Sequence, residues 1–98
     1  EYVREAQTLA SAFGATIIAA DALLLQGELA FERQEYADGD RCFESGLSML
    51  EHLGAKEELV EHLAHYARLL EERGLIHKAI IYWKRAYENR QKNWTASL

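Results

Sequence analysis

The chain has 98 residues, 49% of them apolar, with 16 Asp and Glu against 11 Lys and Arg, no proline and a single cysteine. That is enough for one small domain, and its acidic balance argues against nucleic-acid binding by this segment. The lone Cys42 forms no intrachain disulfide, so nothing calls for an oxidising compartment.

With no proline, no helix is forced to break. The first segment, about 1–13, sets Val3, Ala6, Leu9, Ala10 and Phe13 at helical spacing, and Gly14 comes next as a closing glycine. A second helix is predicted from Thr16 to Arg33. It is apolar on several sides, so it is expected to lie between neighbours. Its most apolar part, from Ala15 to Leu25, carries Asp21 and is soon followed by Glu28. It therefore reads as a buried helix and not as the ~18–20 apolar residues that cross a bilayer. A third helix, about 36–53, carries the stripe Tyr36, Gly39, Phe43, Gly46, Leu47, Leu50 and Leu53, closed by Gly54. A fourth, about 56–73, carries Leu59, Leu63, Tyr66, Ala67 and Leu70, closed by Gly74. A fifth, about 76–92, carries Ile76, Ala79, Ile80, Trp83, Ala86 and Tyr87. The tail from Trp94 to Leu98 has no strong period and is expected to fray. No segment alternates with period two, so the fold class is all-α, with connections short enough for antiparallel hairpins.

A forty-residue echo joins these helices. Leu9, Phe13, Gly14, Ala15, Leu23, Gly27, Leu29 and Ala30 fall on Met49, Leu53, Gly54, Ala55, Leu63, Ala67, Leu69 and Leu70. Val3, Phe43 and Trp83 align as large apolar residues, and Ala6, Gly46 and Ala86 as small ones. A fixed period of this length marks stacked repeats, whose units bury their apolar faces against neighbours. Glycine inside a helix costs about 0.5–1 kcal/mol relative to alanine, so Gly39 and Gly46 are read as sites of close helix approach. Trp83, in register with Phe43, is expected in the core.

The spacing resembles tetratricopeptide repeats. The first full repeat reads Leu23, Gly27, Ala30, Tyr36, Gly39, Phe43, Gly46, and the second Leu63, Ala67, Leu70, Ile76, Ala79, Trp83, Ala86. The likeness spans about residues 1–92. It implies an α-solenoid of about five helices, with 1–14 as the second helix of a preceding repeat, 16–54 as repeat one and 56–94 as repeat two. The period of forty exceeds the common thirty-four, and the proline that often ends a repeat is missing. Long repeats of this kind occur in bacterial peptide-sensing regulators.

In that family the first helix of each hairpin lines a concave groove. The resemblance places Asp21, Leu24, Glu28, Phe31 and Glu32 there from the first repeat, and Glu61, Ala64, Arg68, Glu71 and Glu72 from the second. Phe31 would be the apolar foothold and Arg68 the one cation. The expected partner is a peptide or protein segment, with basic ones favoured by the carboxylates; an ordinary solvated face is the rival reading of those same residues. The Lys, Arg and Asn set with which chaperone-binding members clamp a terminal carboxylate is missing.

Charge is uneven along the chain. Residues 76–98 hold Lys78, Lys84, Arg85, Arg90 and Lys92 against Glu88 alone. Helix electrostatics accounts for this; a charged contact surface is the alternative. His62 and His65 stand three apart on one helix with Glu58 and Glu61 nearby, but a zinc site needs three or four converging ligands and a second shell. A surface histidine pair is the preferred reading. Cys42 lies beside the buried stripe and reads as a small hydrophobe. No phosphate loop or nucleophile elbow is present, so no catalytic residue, metal or cofactor is expected.

The expected function is non-catalytic. The chain reads as a protein- or peptide-binding segment of a larger cytosolic protein with no membrane partner, such as the sensing or oligomerisation region of a bacterial transcriptional regulator. Self-association through exposed terminal helices, with Tyr2, Trp83 or Trp94 at a stacking face, is also expected. A structural scaffold and an accessory region of an enzyme are the alternatives.

Overall fold

The computed structural model describes the backbone of residues 2–97 and the side chains of residues 12–92. Val3, Ala6, Leu9, Tyr2 and Trp94 therefore lie outside the described side chains. Among the described residues the chain is all-helical, with four helices: α1 (Tyr2–Glu32), α2 (Tyr36–Leu53), α3 (Lys56–Glu72) and α4 (Ile76–Ser97). The chain divides into two compact units, Glu1–Leu53 and Gly54–Leu98, each of them one helix hairpin.

The count of five helices is corrected to four, because the expected break at Gly14 does not occur. Of the segment expected as a separate helix over 1–14, residues 2–14 are the first part of the 31-residue α1. Gly14 is absent from the residues with positive φ, whereas its echo Gly54 has φ +72. The difference lies in the residues after each glycine. After Gly54 come Lys56, Glu57 and Glu58, and acids in a first turn favour a helix start. After Gly14 come Thr16, Ile17 and Ile18, and the Thr16 hydroxyl donates back to the Ala12 carbonyl at 2.9 Å instead of capping a new helix. Without a start signal, continuing the helix costs only the ~0.5–1 kcal/mol of one interior glycine. At the other end, α4 continues through Ser97, past the close expected at 92.

Both hairpin turns are built alike. The Gln34 N–H donates to Phe31 O at 3.0 Å and the Glu35 N–H to Ala30 O at 2.8 Å. Forty residues on, the Gly74 N–H donates to Glu71 O and the Leu75 N–H to Leu70 O, both at 2.9 Å. This is a Schellman closure, which puts one residue in the left-handed region. Gly74 takes it at φ 84 and Gln34 at φ 63.

In the first hairpin three glycines let α1 and α2 meet closely. A Cβ on Gly27 would lie 2.7 Å from Phe43, one on Gly46 would lie 2.8 Å from Leu24, and one on Gly39 would strike Phe31. The pairs 20–46, 27–43 and 31–39 run in opposite senses along the two helices, so the hairpin is antiparallel. Phe31 packs edge-on against Tyr36 and Phe43, at 5.6 Å from each ring. The second hairpin replaces the glycines with Ala67, Ala79 and Ala86, all buried. Its centre is Tyr66, fully buried, edge-on to Tyr82 at 4.7 Å, with Lys78 over the Tyr66 ring and Arg85 over that of Tyr82.

The expectation that the second predicted helix is covered on several sides is corrected. One side of α1 packs on α2 through Ala20, Leu24, Gly27 and Phe31, while Ile18, Leu25 and Leu29 are exposed. The stretch Ala12–Glu32 is also long and apolar enough to cross a membrane, and most of it is unburied. Asp21 sits in its middle, and a carboxylate at a bilayer centre costs roughly 2.5–3.5 kcal/mol.

Candidate functional site

The forty-residue register explains where an opening forms. In the first hairpin Leu24 lies over Gly46 and is buried. The residues in register in the second are Ala64 and Ala86. Two methyl groups do not fill what a leucine fills, and a pocket of about 270 Å³ opens there. It is lined by Val60, Ala64, Trp83, Ala86, Tyr87 and Arg90. That volume is below the ~300–1,000 Å³ of small-molecule and cofactor sites; it suits one or two apolar side chains of a partner.

A second substitution in register shapes the rim. Glu71 stands where the first hairpin has Phe31. Its carboxylate accepts a hydrogen bond from Trp83 Nε1 at 2.6 Å. The indole is thereby held at the pocket edge, half-buried. Trp83 is thus not a core residue like the fully buried Phe43, because neither a leucine nor a phenylalanine covers it.

The ten groove candidates separate. Leu24 and Phe31 are corrected: both are buried between α1 and α2, packed on Gly46 and Gly39, and offer no surface to a ligand. Asp21 and Glu32 are exposed and Glu28 is half-buried, all on α1. In the second hairpin Ala64 lines the pocket and Glu71 holds Trp83. Glu61, Arg68 and Glu72 are exposed but outside the lining. Among the described residues no group of three or more His, Cys, Asp and Glu is placed to hold a metal ion. His62 and His65 are half-buried, as is Cys42.

Sequence reasoning missed Val60, Tyr87 and Arg90. The available signal was the drop in size from Leu24 to Ala64 in a register where most other apolar positions keep their bulk. Two stripes with the same spacing, whose α4 residues belong to the apolar pattern of the fifth predicted helix, were not read as exposed faces. Ile18, Ala22, Leu25 and Leu29 recur at i, i+4, i+7 and i+11 on α1, and Ile76, Ile80, Trp83 and Tyr87 do so on α4. That spacing puts four side chains on one helix face. Ile18 is 70% exposed, Leu25 56%, Ile80 55% and Tyr87 63%.

Comparison with protein-family models, with curated proteins and with solved structures gives no match.

Proposed function

We propose that this chain is a non-catalytic protein-binding module of tetratricopeptide-like hairpins. Its second hairpin takes up an apolar helical segment of a partner at the face formed by α3 and α4. The observation that carries this reading is the apolar pocket at Ala64 and Trp83, continuous with the exposed Tyr87. A pocket of side-chain size beside an exposed aromatic is the form of a helix-in-groove anchor site. Exposed apolar rows on a small chain mark interaction surfaces more often than chance surface composition. Arg90 in the lining and Lys84 nearby favour a partner with carboxylates around its apolar anchor. A basic partner, expected from the carboxylate-rich groove, would find its counter-charges on α1 at Asp21, Glu28 and Glu32.

The test is a titration of Trp83 emission in a Trp94→Phe chain with synthetic amphipathic helical peptides of acidic, neutral and basic flank. Peptides with an apolar anchor are expected to shift the emission, and Ala64→Leu is expected to abolish the shift. No shift with any charge class, or equal binding by Ala64→Leu, would overturn the reading.

A further inference from the structure

The two outer stripes differ in charge as well as in position. From residue 12 to residue 32, α1 carries Asp21, Glu28 and Glu32 and no Lys or Arg. From residue 76 to residue 92, α4 carries Lys78, Lys84, Arg85, Arg90 and Lys92 against Glu88 alone. Each stripe is apolar at i, i+4, i+7 and i+11, and Ile18, Leu25 and Leu29 on one and Ile76, Ile80 and Tyr87 on the other are exposed. Asp21, Glu28 and Glu32 fall along one border of the α1 stripe; Lys84 and Arg90 stand on opposite borders of the α4 stripe, while Lys78 and Arg85 lie over the rings of Tyr66 and Tyr82.

We infer that the α1 stripe of one molecule docks on the α4 stripe of a second copy, head to tail. This assignment rests on the proposal that the α3 and α4 face binds an apolar helix, and it names that helix. Leu25 and Leu29 supply the apolar anchors of a helical segment, and the pocket at Ala64, Trp83 and Tyr87 supplies a hole for one of them. The carboxylates along one border of α1 lie against Lys84 or Arg90, whichever border of α4 they face, and the remaining cations of α4 add a favourable field, which is the complementarity that steers an interface. An antiparallel α1 pair would set three carboxylates against three, a parallel one would leave them without cations, and pairing α4 with α4 would bring two basic helices together. Opposite charge therefore selects the heterologous pairing over both like-with-like pairings. In such an interface the two patches are different, so one patch on each molecule stays open to a further copy unless the assembly closes.

The experiment is a complementation by sedimentation, using the 98-residue chain. The α1-face variant carries Ile18→Glu and Leu25→Glu, and the α4-face variant carries Ile80→Glu and Tyr87→Glu. All four positions are exposed, so helicity by circular dichroism should match that of the unaltered chain. The unaltered chain is expected to associate with rising concentration, and each variant alone to sediment as a monomer. An equimolar mixture is expected to form a one-to-one complex, because one intact α1 stripe meets one intact α4 stripe. Association of the unaltered chain is also expected to weaken several-fold from about 0.05 M to about 0.5 M salt, as the Debye length shrinks from ~14 Å to ~4 Å. This readout needs no variant. A variant that self-associates as well as the unaltered chain, a mixture that stays monomeric, or salt-independent association would overturn the inference. A chain that is monomeric at every concentration yet still binds the anchor peptides would sink the second-copy assignment and leave the peptide-binding reading standing; loss of both would sink both.

Discussion

Two glycines in one helix should respond to alanine with opposite signs. Gly14 and Gly27 both lie in α1. A Cβ on Gly14 meets nothing within 4 Å. Gly14→Ala should therefore show only the helix-propensity gain, about 0.5–1 kcal/mol of added stability. At Gly27 the same Cβ would lie 2.7 and 2.9 Å from two carbons of Phe43 and 3.2 Å from the Gly39 carbonyl. Phe43 is fully buried and edge-on to Phe31, and the carbonyl belongs to the α2 backbone, so neither can step aside cheaply. Overpacking a well-packed core costs about 1–3 kcal/mol, which exceeds the propensity gain and leaves Gly27→Ala less stable by about 0.5–2 kcal/mol. Urea denaturation followed at 222 nm reads both. In a chain of this size each kcal/mol moves the thermal midpoint by roughly 4–8 °C. If Gly14→Ala destabilises by 1 kcal/mol or more, α1 breaks at that glycine after all, since alanine is strained in the left-handed conformation a break there requires. If Gly27→Ala stabilises as much as Gly14→Ala, the close approach of α1 and α2 is wrong.

The two Schellman turns make a second pair: Gln34→Gly is expected to stabilise by about 0.5–1 kcal/mol, since a non-glycine residue at positive φ is relieved, and Gly74→Ala to destabilise by about 1–2 kcal/mol. Chemical denaturation decides, and equal effects of the same sign would refute the shared turn geometry. Ala64→Leu is expected to stabilise by about 1.5–2 kcal/mol, the burial of three further carbons at ~0.8 kcal/mol each less about 0.5–1 kcal/mol of rotamer entropy. A clear loss of stability would show that no leucine-sized space exists there. The reverse change in the first hairpin, Leu24→Ala, should cost about 2–5 kcal/mol, the range for emptying a buried leucine site, and a cost near zero by calorimetry would place Leu24 on the surface.

Much of the helix content was legible because the apolar spacing is regular. The stripes Gly39–Phe43–Gly46–Leu47–Leu50 and Leu59–Leu63–Tyr66–Ala67–Leu70 are buried as their period requires. Gly54 and Gly74 take the positive φ that a closing glycine supplies. Gly14 misled because a glycine only permits a break; the acids that begin a helix stand after Gly54 and not after Gly14. Gln34 was silent for the complementary reason: tertiary closure of the hairpin forced a glutamine into a conformation its chemistry does not advertise. The candidate site was less legible. The resemblance chose Leu24 and Phe31 by helix position, whereas side-chain volume decided their fate, since glycines opposite them on α2 left room to bury both. At the same positions in the second hairpin, Ala64 and Glu71 have too little bulk or too much charge to be buried so, and the surface opens. The outer stripes were visible as apolar residues but were assigned to the core, because periodicity does not tell a covered apolar face from an exposed one.

The most direct test of the protein-binding reading is an amide NMR titration of the labelled Ile18→Glu, Leu25→Glu chain, in which no α1 stripe competes for the α4 face, with the tightest of the anchor peptides. Shifts concentrated at Val60, Ala64, Ala86, Tyr87 and Arg90, with α1 and α2 unmoved, are the result expected. Shifts spread evenly over both hairpins, or confined to the first, would contradict it.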